Sequence, residues 1–156
     1  MTPEQEAQFN LFGCGPRCII KLAELRQKPI TKAEFIDRFA PKYPAWNTQC
    51  GVVNHSDIIN IARELGLARS AEDFGDRAKV RQLAESTPTP GVLVLTEREQ
   101  APNGDWSERH HIRLLRGFAG DRWLLWDPSQ DGRDIDNRPF TEAQLEKRLA
   151  HFVVLQ

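Results

Sequence analysis

Cysteine is scarce: three in 156 residues, Cys14, Cys18 and Cys50. So few, and odd in number, they cannot frame a disulfide scaffold, and at least one thiol is free. No stretch reaches the roughly 18–20 apolar residues of a bilayer span, so no membrane insertion is expected. The N-terminal segment MTPEQEAQFNLFG has neither the basic nor the apolar region of a secretory signal, which points to a chain made in the cytoplasm. Delivery to another cell would need a route without that signal. Charge of one sign is not in excess either: 21 Lys and Arg face 22 Asp and Glu, a formal net charge of -1. That balance argues against a nucleic-acid module working through an overall basic field. Internal repeats and low-complexity segments are also absent.

What is present is an ordinary globular composition, 40% hydrophobic and 28% charged. The length suits one domain over 1–156 with a core of its own. The first half reads helical. Pro16 to Gln27 carries Ile19, Ile20, Leu22, Ala23 and Leu25. Thr31 to Glu34 is a capping-box pattern before Phe35, Ile36 and Phe39, and Pro41 and Pro44 end that helix. Tyr43 to Asn54, with Trp46, Cys50 and Gly51, reads as a loop. Ser56 is placed to cap a helix over Asp57–Leu65, and Asp76 to Glu85 is another helix.

After Pro90-Gly91 the pattern changes. Val92–Thr96 is a short apolar, β-branched strand. Glu97–Glu108 reads as an exposed loop, His111–Phe118 and Arg122–Asp127 as a hairpin, and Pro128–Pro139 as a second loop. Thr141 caps a last helix, and Phe152–Leu155 is a last strand. The expected class is α+β. A helical half, about 8–86, packs on an antiparallel sheet half, about 91–156, with a site in the cleft between them.

Cys14 stands in Phe12-Gly13-Cys14-Gly15-Pro16, just before the first predicted helix. Unpaired N–H groups and the helix dipole there favour thiolate over thiol, so Cys14 is a candidate nucleophile. The plain alternative is a small buried side chain. Cys18 lies one turn on among apolar neighbours and reads as core. A zinc or redox site using Cys14 and Cys18 would need further ligands, with only Cys50 and His55 nearby, and no Cys-x-x-Cys pair exists. No motif calls for a cofactor or a metal.

A thiol nucleophile works with a base and a group that orients the base. A three-residue turn at Phe118-Ala119-Gly120 sets His111 opposite Asp127 across the hairpin. Asp127 would then fix the imidazole. A slip of one residue would bring in His110 instead or break the pairing. Gln8, six residues before Cys14, is placed to join the Cys14 backbone N–H in an oxyanion hole.

Gln8-x5-Cys14-Gly15-Pro16, then His111-Ile112-Arg113-Leu114-Leu115-x-Gly117, then Asp127-Pro128 come in that order. The set resembles the papain-like cysteine peptidases, in particular the compact bacterial branch that processes double-glycine leader peptides. The resemblance runs from about Gln8 to Leu155. It implies a papain-like fold, a peptide or protein substrate, Cys14 as nucleophile, His111 as general base and acid, Asp127 as orienter, and Gln8 in the oxyanion hole. Arg17, Cys18 and Arg113 depart from the small or apolar residues usual at those places. Two alternatives stand beside peptide cleavage. One is a glutamine deamidase or toxin domain of the same fold, for which a neutralising protein partner is expected. The other is a non-catalytic module that binds a leader peptide or protein.

Arg109, Arg113, Arg116 and Arg122 cluster near the base and read as a solvated face balanced by Glu97, Glu99 and Asp105. Trp123 and Trp126 alternate on one strand, so at most one is expected fully in the core. Trp46 is a candidate cleft or packing residue. His55 and His151 read as structural.

Overall fold

The computed structural model describes residues 1–43, 55–68, 71–74 and 76–156. Trp46 and Cys50 therefore lie outside the described residues. The N-terminal half contains α1 (Pro3–Phe12), α2 (Cys14–Leu25), α3 (Lys32–Phe39) and α4 (His55–Glu64). Next come β1 (Ala71–Phe74) and α5 (Arg77–Glu85). The rest is β2 (Val92–Gln100), β3 (Trp106–Ala119), β4 (Arg122–Asp127), β5 (Ile135–Phe140), α6 (Glu142–Lys147) and β6 (His151–Leu155). The six strands form one sheet in the order β1-β6-β2-β3-β4-β5, and every neighbouring pair is antiparallel. The chain is α+β, as its composition of elements predicted.

Local chemistry explains most of these elements. Complete capping boxes start three helices, with Thr2 and Gln5 on α1, Thr31 and Glu34 on α3, and Thr141 and Gln144 on α6. Asp76 caps α5 by accepting from the N–H groups of Ala78 and Lys79. α4 begins at His55, so Ser56 lies inside the helix and not at its cap.

Alternation along the strands divides the core in two. Ile112, Leu114 and Trp126 share one cluster with Cys18, Leu22, Phe35 and Ile61 of the helical half. Leu115, Trp123, Leu125 and Phe140 share the other with Val80 and Ala84 of α5 and Leu145 of α6. Helices cover both faces of the sheet, so both tryptophans are buried, but only Trp123 completely, with Trp126 8% exposed, in keeping with the expectation of at most one fully in the core. Trp123 stacks on Phe152 and meets the ring of Phe118 edge-on.

Four elements depart from the sequence reading. α1 is a polar helix of which Phe9 is the buried residue. The predicted loop 97–108 is largely strand, because β2 and β3 run on to a turn at 101–105. β5 takes up the end of the other predicted loop and runs on to Phe140, and the short β1 pairs with β6.

Candidate active site

Gly13 joins α1 to α2 with no room for a side chain. Its N–H donates to the Phe9 carbonyl at 2.8 Å, and a Cβ would collide with that same oxygen. This tight junction sets Cys14 as the first residue of α2, so the helix begins two residues before the expected start at Pro16. Cys14 is buried and belongs to the cluster that holds Ile112 and Trp126, the sequence neighbours of His111 and Asp127. One turn on, Cys18 is fully buried and donates its thiol hydrogen to the Ile112 carbonyl at 3.4 Å. Burial pushes the Cys18 thiol well above its ordinary pKa, and the Cys14 and Asp127 charges add to this. Gln8 sits exposed on α1.

His111 and Asp127 meet directly. Nε2 of His111 lies 2.6 Å from Oδ1 of Asp127, and both side chains are buried. The route differs from the expected hairpin. The turn is two residues long, with Ala119 opposite Arg122 and Gly120 at φ +63. Arg116 is an extra residue in β3 that shifts the register, giving Leu115 opposite Leu125 and Leu114 opposite Trp126. Continued one step, this sets Arg113, not His111, opposite Asp127. The displacement from the expected register is two residues. An even slip keeps every side chain on its face, so His111 stays within reach of Asp127 as a diagonal neighbour.

β4 ends at Asp127, so β3 has no β4 partner beyond Arg113. Arg17, in the first turn of α2, ties that helix to the chain leaving β4. It donates to the Ser129 carbonyl at 2.6 Å and pairs with Asp134. This explains a buried arginine where the family resemblance suggested a small or apolar residue.

The other oxygen of Asp127 faces two guanidinium groups. Arg138 Nη1 donates to Oδ2 at 2.6 Å, and Arg113 Nε lies 3.0 Å from it. Arg113 also donates to Thr96 Oγ1 at 3.1 Å and to Glu99 Oε1 at 2.7 Å. Arg113 is therefore not part of a solvated face, being only 2% exposed. Of the other predicted arginines, Arg109 and Arg122 are exposed and Arg116 pairs with Asp136 at the surface. The sequence signal for Arg113 was its place inside an apolar strand; Arg138 gave none.

These contacts set the charge states. Burial would raise the Asp127 carboxyl, but the His111 bond and the Arg113 charge outweigh it and hold it well below the usual carboxylate range. Burial and the Arg113 charge lower the His111 pKa, and the bond to Asp127 opposes them only in part. A cleft of about 400 Å³ opens beside the pair, lined by Glu99, Arg109, His111, Asp127, Ser129 and Arg138 among others. Cys14 is not among the described residues lining it. His110 is exposed and takes no part in the pair.

No family model and no curated protein matches the chain. A solved structure does: the peptidase domain of Streptococcus ComA, a bi-functional ABC transporter involved in a quorum-sensing pathway. The two superpose with a TM-score of 0.60 over 93% of each chain, at 11% sequence identity. The chain has the papain-like peptidase fold. This agrees with the resemblance drawn from the sequence motifs. Among the described residues, no helix is long and apolar enough to cross a membrane.

Proposed function

We propose that the chain is a thiol hydrolase of amide bonds, a cysteine peptidase acting on a peptide or protein through Cys14, His111 and Asp127. The observation that carries this reading is the 2.6 Å bond between His111 and Asp127 in a chain with a peptidase-domain fold. A cysteine at the first residue of α2 supplies the nucleophile.

The chemistry follows from the atoms. Nε2 of His111 is held by Asp127, so Nδ1 is the nitrogen that serves the thiol. Nδ1 takes the thiol proton as Sγ of Cys14 bonds to the amide carbon. The carbonyl electrons move to oxygen, and the oxyanion is met by the Cys14 backbone N–H and the Gln8 amide. As the tetrahedral adduct collapses, the C–N bond breaks and Nδ1–H protonates the leaving amine. Water then attacks the thioester with His111 as base, releasing the carboxylic acid and the thiol.

The first measurement is the rate of Cys14 alkylation by iodoacetamide against pH, in wild type and His111→Ala. Reactivity below the ordinary thiol range, of about 8.5, that the substitution removes supports the pair. Mass spectrometry of peptides and glutamine-bearing proteins then separates the two reactions. Chain cleavage supports a peptidase, and a mass gain of about 1 Da without cleavage marks a deamidase working by the same thiol chemistry. Full turnover by Cys14→Ala would overturn the reading.

A further inference from the structure

We propose that Arg138 is a positioning residue of this site: with Arg113 it clamps Oδ2 of Asp127, so that only Oδ1 is offered to His111. The inference rests on the hydrolase reading for its effect on turnover, but the clamp itself stands on geometry. A carboxylate on a short side chain can turn about its last bond and present either oxygen. Here one oxygen accepts a charge-assisted hydrogen bond from Arg138 at 2.6 Å and has the Arg113 guanidinium beside it as an ion pair at 3.0 Å, while the other takes the imidazole at 2.6 Å.

Both guanidinium groups are themselves held. Arg113 is fixed by Thr96 and Glu99 and lies over the Phe140 ring, 4.9 Å from its centroid. Arg138 lies over the same ring at 5.3 Å. The backbone aims it there. Leu125 pairs with Arg138 and Asp127 with Ile135, so Asp136 and Asn137 together face the single residue Trp126. This is a β-bulge, and Asn137 adopts φ +52, a left-handed conformation that asparagine tolerates better than most residues. Without the extra residue Arg138 would stand one place along and on the other face of the strand.

The charges around His111 set the sign of the test. β2 contributes Glu99, and β3 contributes Arg113 and Arg109. β4 contributes Asp127, β5 Arg138, and the loop between them Asp131. Just past α6, Arg148 lies over Phe140, and α2 brings Cys14, Cys18 and Arg17 to the neighbourhood. Arg138 is the cation bound to the carboxylate that supports the imidazolium. Its removal leaves Asp127 more negative toward His111 and freer to turn.

The test is the titration of the His111 ring by NMR in ¹³C-histidine protein, its signal assigned by its loss in His111→Gln. Arg138→Ala is expected to raise the His111 midpoint by about 0.5–1 pH unit. Arg138→Lys, which keeps a cation without the planar fork, should fall between it and wild type. With a cleaved substrate, Arg138→Ala should lower kcat about tenfold with KM changed less than about twofold, because the loss is one of orientation. Arg138 is partly exposed, so its truncation should leave the fold intact, and Arg138→Gln serves as a second neutral variant. A His111 titration unmoved in both neutral variants overturns the clamp. Turnover retained by Cys14→Ala sinks the hydrolase reading and leaves the titration result untouched, so the two failures are distinguishable.

Discussion

Arg17 and Asp134 pair across 117 residues of sequence, and the arginine is almost completely buried. The pair, with the Arg17 bond to the Ser129 carbonyl, fastens the helix that begins with Cys14 to the segment that follows Asp127. Truncating a buried charge strands its partner and the carbonyls it satisfied. Arg17→Ala should therefore cost about 2–4 kcal/mol, below the range for a fully buried pair because Asp134 is partly exposed. A Tm lowered by on the order of 5–10 °C would register it. The exposed Lys21–Glu24 pair on the same helix gives the contrast: Lys21→Ala should change stability by less than about 0.5 kcal/mol. Equal effects of the two substitutions would refute this role for Arg17.

Stability should fall as the solution is acidified, in two stages. The folded His111 pKa lies below its ordinary value of 6.5, so the unfolded chain binds more protons in that window. Stability present above about pH 6.5 is lost as pH falls toward the folded value. Asp127 is also held below its ordinary 3.8, so its contribution is lost as pH falls below about 4. Urea midpoints measured from pH 8 to about pH 2 check both stages. In His111→Gln the first slope should shrink; a slope unchanged by that substitution would remove His111 as its source.

How much was legible depended on which forces act locally. The boxes at Thr31 and Thr141 and the cap at Asp76 are short-range signals, and all three helices formed where those residues placed them. β5 was missed because IDNRPF is an exposed edge strand with a proline, and so shows no apolar alternation. The hairpin register was misjudged because the chain turns at Gly120 and Asp121, three steps of register from the expected turn, and an extra residue at Arg116, which has no sequence mark, takes one step back. The His111–Asp127 contact survived that error only because the slip was even. Arg113 was misjudged because burial of an arginine depends on partners, Thr96, Glu99 and Asp127, that lie on two other strands.

Cys18 should be inert in the folded protein. It is fully buried, its thiol is engaged by the Ile112 carbonyl, and burial raises its pKa. At pH 8, peptide mapping after iodoacetamide treatment should find Cys18 unmodified in native protein and modified once urea unfolds it. Comparable native and unfolded labelling rates would contradict the placement of Cys18 in the core.

Asp127 carries more than the imidazole. Asp127→Asn removes the carboxylate that Arg138 meets among the described residues and one of the two carboxylates that Arg113 meets, while the amide still fills the space. Arg113 is left deep in the core with Glu99 as its remaining counter-charge, so the substitution should cost about 3 kcal/mol or more. Arg138 is partly exposed, and water can resolvate it, so Arg138→Gln alone should cost about 1 kcal/mol. If the carboxylate and the guanidinium act as one unit, the double variant should be more stable than the sum of the two losses predicts, with a coupling of about 1 kcal/mol. Chemical denaturation of the four proteins in the cycle measures it. Strict additivity would mean that Arg138 touches Asp127 without being coupled to it, and the network at the site would reduce to Arg113, Asp127 and His111.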